Sequence, residues 1–149
     1  MKILLPVDGS ERGLESVHLA LRLIRSGLGA HIVLANVQSP PSLYEVVVAH
    51  DAEVIREVSE AAAAHALEAA RALLRAAGVA HEDEVGVGDA AHVLAEMAER
   101  HACEMVILGS HGSGTTGSAA LGDVARGLVG DGRWAVLIAA DVDPADAGR

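Results

Sequence analysis

The chain has 149 residues, a length that fits one domain built around a single buried core. Its formal net charge of -10 opposes binding to nucleic-acid phosphates, so we expect no nucleic-acid partner. Its apolar runs end well before the ~20 residues that a membrane span needs, and the apolar start turns acidic without the pattern of an export signal. The single cysteine, Cys103, can form no internal disulfide, and we expect a cytoplasmic protein with no membrane partner.

Five short segments are predicted to be strands. Four of them are almost continuously apolar, which is typical of parallel strands that are covered on both faces. The third segment, EDEVGV, has a mixed composition. The predicted strands are residues 2–7, 31–37, 82–87, 104–109 and 135–140.

Segments rich in Ala, Leu, Glu and Arg separate these strands and are predicted to be helices. The predicted helices are residues 10–25, 51–77, 90–101 and 118–129. In the first helix Leu14, Val17 and Leu21 recur at steps of three and four residues, so they share a face that should pack on the sheet. Ser10 and Asp89 precede two of the helices and are predicted to cap their first turns.

The alternation of strands and helices predicts a single α/β domain with an open, largely parallel sheet and helices on both faces. Residues 1–141 are assigned to this domain, and the acidic residues 142–149 are predicted to form a flexible tail. Residues 45–49 fit either a strand or an irregular lid at the carboxyl edge of the sheet. Ligands bind to such sheets outside the carboxyl ends of the strands, where the strand order reverses.

The loop after the fourth strand reads GSHGSGTTGSAALGD and contains a GxGxxG at residues 112–117. A dinucleotide-binding turn belongs after the first strand of its unit, with an acidic residue ~20 positions later, and neither condition is well met. A Walker loop is excluded because GK[ST] is missing from the sequence. A glycine-rich loop that binds no ligand stays open as an alternative.

A wider spacing of glycines fits the loop better. Gly109, Gly112 and Gly122 form GxxG followed by nine residues and another glycine, and VDGS follows the first strand. Together with the long second helix, the segment VGVGDAAHVLAEMAERHACEMVILGSHG and the last strand, this pattern resembles the universal stress protein family over nearly the whole chain. The resemblance implies a five-stranded sheet of order 3-2-1-4-5, in which the ends of strands one and four lie side by side.

The resemblance also implies a binding site for ATP or another adenine nucleotide. In nucleotide-binding members of the family, adenine and ribose are surrounded by residues that match Pro6, Val7, Asp8 and Val37. The residues implied to hold the phosphates are Gly109, Gly112, Gly122, Asp123 and Val124. Glycines let backbone amides approach phosphate oxygens, and a helix that opens near the last glycine would add the positive end of its dipole.

Asp123 departs from the family pattern, because nucleotide-binding members have Ser or Thr after the last glycine. Two unit charges ~4 Å apart repel by about 1 kcal/mol in water and by more in a partly dry cleft. Residues 113–121 contain no Lys or Arg to offset this repulsion, although they include Ser and Thr hydroxyls. A Mg²⁺ ion between Asp123 and the phosphates would reverse the effect, so Mg²⁺ is a candidate cofactor.

Other arrangements give weaker signals for chemistry. Asp8 lacks the second acidic residue that would accompany a phosphoacceptor or a Mg²⁺ site, and the eight histidines show no HExxH or paired-cysteine spacing. Ser10 and His111 could approach each other, but no third group is identified to orient the imidazole. Cys103 precedes a buried strand and is interpreted as inert packing. We therefore expect no enzymatic activity.

Two functions follow from the sequence. The favoured one is a non-catalytic stress-response regulator that binds an adenine nucleotide and forms a homodimer. The resemblance implies pairing through the last strand, where AVLIAA beside Trp134 forms an apolar edge that would otherwise be an aggregation hazard. The alternative is a dimerising interaction protein of the same fold that has lost nucleotide binding.

Overall fold

Strands and helices alternate in the computed structural model, which describes residues 1–49, 51–110 and 122–140. The strands are β1 (Lys2–Pro6), β2 (His31–Gln38), β3 (His81–Val87), β4 (Met105–Gly109) and β5 (Ala135–Ala139). The helices are α1 (Glu15–Arg25), α2 (Leu43–Ala49), α3 (Ala52–Ala76), α4 (Ala90–Arg100) and α5 (Asp123–Asp131). The strands form one sheet in the order β3-β2-β1-β4-β5, with every neighbouring pair parallel. The predicted α/β fold and strand order are confirmed.

The sheet has a hydrophobic core on each face. Ile3 and Leu5 of β1 pack on one face against α1 and α3, while Leu4 lies on the other face with α4 and α5. This division follows from the strand geometry, in which successive side chains point to opposite faces. Both faces are therefore covered, which explains why β1, β2 and β4 are apolar along almost their whole length.

Several predicted helix ends are confirmed. Asp51 caps α3 by accepting a hydrogen bond from the Glu53 amide at 2.9 Å, and Asp89 caps α4 by accepting from the His92 amide at 3.0 Å. The chain leaves α3 through Gly78, whose φ of +68° is readily adopted only by glycine. These ends fix where α3 and α4 return the chain to the sheet.

The first helix starts later than predicted. A 3₁₀ turn over Arg12–Leu14 precedes α1, and the Ser10 hydroxyl accepts a hydrogen bond from the Gly13 amide at 3.0 Å instead of capping the α-helix. The Asp8 carboxylate also accepts the Ser10 amide, so the chain folds back locally before the helix begins. The prediction of a helix over residues 10–25 is wrong for this first turn.

The last helix also starts later than predicted. Gly122 has φ of -58° and ψ of 161°, which is not helical, and it serves as the N-cap of α5. A helix therefore cannot run unbroken over residues 118–129. Residues 118–121, like the predicted tail at 142–149, lie outside the described residues, and the domain boundaries stay a prediction.

Residues 43–49 form a helix, and both earlier interpretations of this segment, a strand or an irregular lid, are wrong. Ser42 and Glu45 form a capping box: the Ser42 hydroxyl accepts from the Glu45 amide, and the Glu45 carboxylate accepts from the Ser42 amide at 2.6 Å. The hydrogen bonds that the Glu45 carboxylate accepts from the amide and the hydroxyl of Ser42 hold its pKa below the usual value. The three β-branched valines that suggested a strand are exposed on this helix.

Within the described residues, the helices are all too short or too polar to cross a membrane.

Candidate functional site

The carboxyl ends of β1 and β4 meet at the centre of the sheet, where the strand order reverses. The register between these strands covers only Ile3 opposite Met105 and Leu4 opposite Val106. The Val7 amide donates to Ala35 of β2, so the nitrogen of Pro6 faces the β4 side and has no hydrogen to donate there. The proline therefore accounts for the early end of the ladder, and beyond Leu4 and Val106 no register between the two strands is described.

A tight turn around Asp8 forms one wall of this opening. One oxygen of Asp8 accepts from both the amide and the hydroxyl of Ser10, at 2.9 and 2.5 Å. A Cβ on Gly13 would lie 2.5 Å from that oxygen, and Gly9 has φ of +86° with Ala66 of α3 directly against it. Two glycines are therefore required for the Asp8 carboxylate and α3 to approach the turn so closely.

A buried amide pair lies behind this wall and was missed by sequence reasoning. Asn36, which is 3% exposed, donates to the Val7 carbonyl at 2.8 Å, and its own oxygen accepts from Gln38 at 2.5 Å. Both backbone groups of Val7 are thus engaged, and its side chain is buried. Val37, between the two amides, packs in the core on the α4 side. A polar residue within the apolar run HIVLANV was the available signal.

The end of β4 is fastened to the first turn of α1. The Glu15 carboxylate accepts from the hydroxyl of Ser110 at 2.9 Å and from its amide at 3.4 Å, which fixes the chain as it leaves Gly109. This contact joins residues 95 positions apart, and the sequence carries no local signal for it. It places a second carboxylate at the same edge of the sheet as Asp8.

Among the described residues, no side chain caps the start of α5. Gly122 makes no capping hydrogen bond, Asp123 is the first helical residue, and Val124 packs against the core on the α4 side. The Asp123 side chain is fully exposed, and Arg126 lies 3.8 Å from its carboxylate. A cation is therefore close to Asp123. It lies one turn along the helix, beyond residues 113–121, which contain no Lys or Arg.

The structure brings some of the predicted site residues together. Pro6, Val7, Asp8 and Gly109 lie at one edge of the sheet, at the ends of neighbouring strands. Gly122, Asp123 and Val124 begin α5, and no described contact joins them to the Asp8 turn. Gly112, His111 and the predicted hydroxyl donors Ser113, Thr115, Thr116 and Ser118 lie outside the described residues.

The remaining reactive groups have structural roles in the described part of the chain. Burial raises the pKa of the Cys103 thiol to about 11, although the charge of Lys2 lowers it, so the thiolate is disfavoured. No group of three His, Cys, Asp or Glu side chains among the described residues could hold a metal ion. The possible approach of Ser10 and His111, which was not expected to be catalytic, stays untested because His111 is outside these residues.

Comparison with known proteins agrees with this architecture. The sequence matches the universal stress protein family over residues 1–140. The fold is similar to universal stress protein UspA from Lactobacillus plantarum, with 21% identity, coverage of 94% of this chain and 97% of that chain, and a TM-score of 0.77. A search of curated proteins found no match.

Two further solved structures contain nucleotides. A universal stress protein family protein from Arabidopsis thaliana with AMP bound has 20% identity, coverage of 93% and 90%, and a TM-score of 0.67. A universal stress protein in complex with cAMP has 22% identity, coverage of 95% and 98%, and a TM-score of 0.69. At these identities the similarity establishes the fold, and the match over residues 1–140 establishes the family. The chain belongs to the universal stress protein family.

Proposed function

We propose that this chain is a non-catalytic stress-response regulator that binds an adenine nucleotide between the carboxyl ends of β1 and β4. The observation that carries the proposal is the early end of the β1–β4 ladder, which opens the sheet at its switch point beside Asp8 and Gly109. AMP and cAMP in related structures support an adenine nucleotide as the ligand class.

The nucleoside would lie against the first two strands. Pro6 and the half-buried Val37 would supply apolar contacts for the base, Val7, whose side chain is buried, would shape this wall through its backbone, and Asp8 would accept hydrogen bonds from ribose hydroxyls. The hydrogen bond that the Val7 amide donates to Ala35, and the one that the Val7 carbonyl accepts from Asn36, hold this wall in place before a ligand arrives. Such preorganisation lowers the cost of binding.

The phosphates would lie toward β4 and α5. Gly109, Gly112 and Gly122 allow backbone amides to approach phosphate oxygens, and the residues that follow, Asp123 and Val124, begin a helix that no described side chain caps. Asp123 brings a negative charge to this end of the helix. Arg126 partly offsets it, and Mg²⁺ bound between Asp123 and the phosphates would offset it further.

The dimer is the second part of the proposal. β5 pairs only with β4 among the described strands, and its residues Val136, Leu137 and Ile138 are half-buried at this edge of the sheet. Pairing of two β5 strands would satisfy the open edge and cover these side chains. A single monomer mass by light scattering at micromolar concentration would exclude the dimer.

A protein of the same fold that dimerises but has lost nucleotide binding is the second candidate. The observation in its favour is Asp123, a fully exposed carboxylate at the first position of α5. In that position the carboxylate itself interacts favourably with the helix dipole and competes with a bound phosphate for it. In either case we propose a cytoplasmic protein that acts through binding.

The nucleotide content of the purified protein tests the proposal most directly. Denatured protein is analysed by chromatography for released nucleotide, and apo protein is titrated calorimetrically with ATP and AMP, with and without Mg²⁺. Binding of either nucleotide supports the regulator. Absence of released nucleotide together with no binding heat at millimolar ligand rejects it in favour of the second candidate. Steady release of phosphate from ATP would show that the protein is an enzyme.

A further inference from the structure

A second groove lies far from the proposed nucleotide site, between the carboxyl-terminal turns of α1 and α3. It encloses about 490 Å³, and its lining combines charged and apolar side chains. The residues that line it are His18, Leu21, Arg22 and Arg25 of α1, and Leu73, Ala76 and Ala77 at the end of α3. Because the helices run antiparallel to the strands, this groove is at the opposite end of the sheet from Asp8 and Gly109.

One wall of the groove carries positive charge without a countercharge. His18, Arg22 and Arg25 are spaced four and three residues apart, so they share one face of α1, and all three are exposed. No ion pair within the described residues includes Arg22 or Arg25, whereas Arg71 and Arg100 each pair with a carboxylate.

The facing helix does not neutralise this charge either. Residues 69–78 contain no Asp or Glu, and Arg75 in the last turn of α3 adds a further cation without an ion pair among the described residues. The negative end of a helix dipole favours arginines in a last turn. It does not account for three cations from two helices beside an apolar surface, in a chain with 21 acidic and 11 basic side chains.

The floor of the groove is apolar and its mouth is open. Leu21 is buried, Leu73 is half-buried, and the methyl groups of Ala76 and Ala77 are exposed beside them. A Cβ on Gly27 or Gly78, in the turns that follow the two helices, would meet no atom within 4 Å. An open floor of this kind can receive a side chain from a passing polypeptide segment.

We propose that this groove binds a short acidic segment of a partner protein. One apolar side chain of the segment would pack between Leu21 and Leu73, and carboxylates on either side of it would pair with Arg22 and Arg25. Arginine is suited to this role because its planar guanidinium can form two parallel bonds with a carboxylate. The net charge of -10 disfavours long polyanions and anionic membranes, for which a few local cations are too small a countercharge.

The test uses a fluorescein-labelled peptide in which one leucine is flanked by aspartates, measured by anisotropy at physiological ionic strength. The double variant R22Q/R25Q should weaken binding about tenfold, since two charge-assisted contacts are lost. The control R56Q/R133Q removes the same charge elsewhere on the surface and should change affinity less than about twofold.

A second pair of variants tests the apolar floor without altering the arginines. Ala76 lines the groove, whereas Ala72 is exposed on the same helix outside it. A76E should weaken peptide binding at least about tenfold and A72E less than about threefold, because only the first places a carboxylate in the groove. Thermal unfolding of each variant confirms that it is folded.

Four results would overturn the proposal: no binding by the unaltered protein at millimolar peptide, equal losses in a variant and its control, unchanged binding when the peptide leucine is replaced by serine, or tighter binding to an oligonucleotide or to phosphatidylserine vesicles. Nucleotide binding is measured in the same preparations and should be unaffected by all four variants.

Discussion

The two ends of the sheet satisfy their carboxylates in different ways. At the amino end Glu82 accepts from Lys2 and His31, and Glu84, from the middle of β3, pairs with Arg100 and His101 at the end of α4. At the carboxyl end the described contacts of Asp8 and Glu15 are with hydroxyls and backbone amides of Ser10 and Ser110. Among the described contacts, cations thus hold the amino end together across β1, β2, β3 and α4, whereas neutral donors contact the two carboxylates at the carboxyl end.

The ionic character of the amino end has a defined pH dependence. Burial raises the pKa of Glu82, but hydrogen bonds and charges from Lys2, His101 and His31 outweigh it, so the pKa lies below the usual 4.5. The stabilisation that depends on ionised Glu82 is therefore complete above pH 4.5 and is lost as pH falls through the lower folded value. Both partners are substantially exposed, so the effect is small.

The largest expected effect concerns the closed packing of the amino end. Cys103 lies under this network with its pKa raised by burial to about 11, so its alkylation by iodoacetamide at pH 8 should be ~100-fold slower in the folded than in the urea-unfolded protein. The rate is followed by mass spectrometry. Equal rates would show that the amino end opens as readily as an unfolded chain.

The next effect concerns the close backbone contact at the carboxyl end. Gly9→Ala should lower the free energy of unfolding by about 2 kcal/mol, because a Cβ there meets the Ala66 backbone at 3.0 Å in a left-handed conformation. Gly78→Ala shares the positive φ but has open space around it, so it should cost only about 1 kcal/mol. Urea titration gives both values, and equal costs would mean that contact with α3 is unimportant.

A smaller effect is expected from the ion pairs of the amino end. Glu84→Gln should lower the free energy of unfolding by about 1–2 kcal/mol, since the half-buried carboxylate serves both Arg100 and His101. The control Glu60→Gln breaks an exposed pair with Arg56 and should cost less than about 0.5 kcal/mol. Nucleotide affinity should stay the same in both. A loss of nucleotide affinity in Glu84→Gln alone would show that the two ends of the sheet are energetically coupled.

The smallest expected effect is a gain of ligand affinity. Asp123→Ser should strengthen ATP binding about fivefold, because the repulsion of about 1 kcal/mol is removed and a hydroxyl donor is gained. Calorimetry without Mg²⁺ measures the change. Unchanged binding would indicate that the phosphates lie elsewhere, and weaker binding of this variant in a second titration with Mg²⁺ would indicate that Asp123 acts through a bound cation.

Most of the sheet could be predicted from the sequence, because strands covered on both faces leave long apolar runs and the helices between them follow a regular pattern. Predicted strand ends differ from the observed ones by one residue, as for Pro6 and Gln38. The helix at residues 43–49 was missed because its valines favour a strand, although Ser42 and Glu45 already formed a capping-box pattern.

Less of the candidate site could be predicted. Asp8 and Gly109 were predicted as site residues because they lie at the carboxyl ends of β1 and β4, and the structure places them at that edge of the sheet. The hydrogen bonds that Asn36 donates to Val7 and that Ser110 donates to Glu15 join distant parts of the chain, and only the folded sheet brings them together. Arg126 was missed because only residues 113–121, before the helix, were considered as a source of countercharge to Asp123. Arg126 lies three residues after Asp123, on the same side of the helix.

Pro6 affects how extensively the strands of the sheet are paired. β3, β2 and β1 form one continuous set of paired strands and β4 with β5 forms another, and the register that joins the sets ends at Leu4 and Val106. The strand pair with the fewest residues in register, β1 and β4, thus lies beneath the proposed nucleotide site. A ligand that contacts both sets of strands would hold them together. Occupancy of the site would therefore slow hydrogen exchange in β4 and β5.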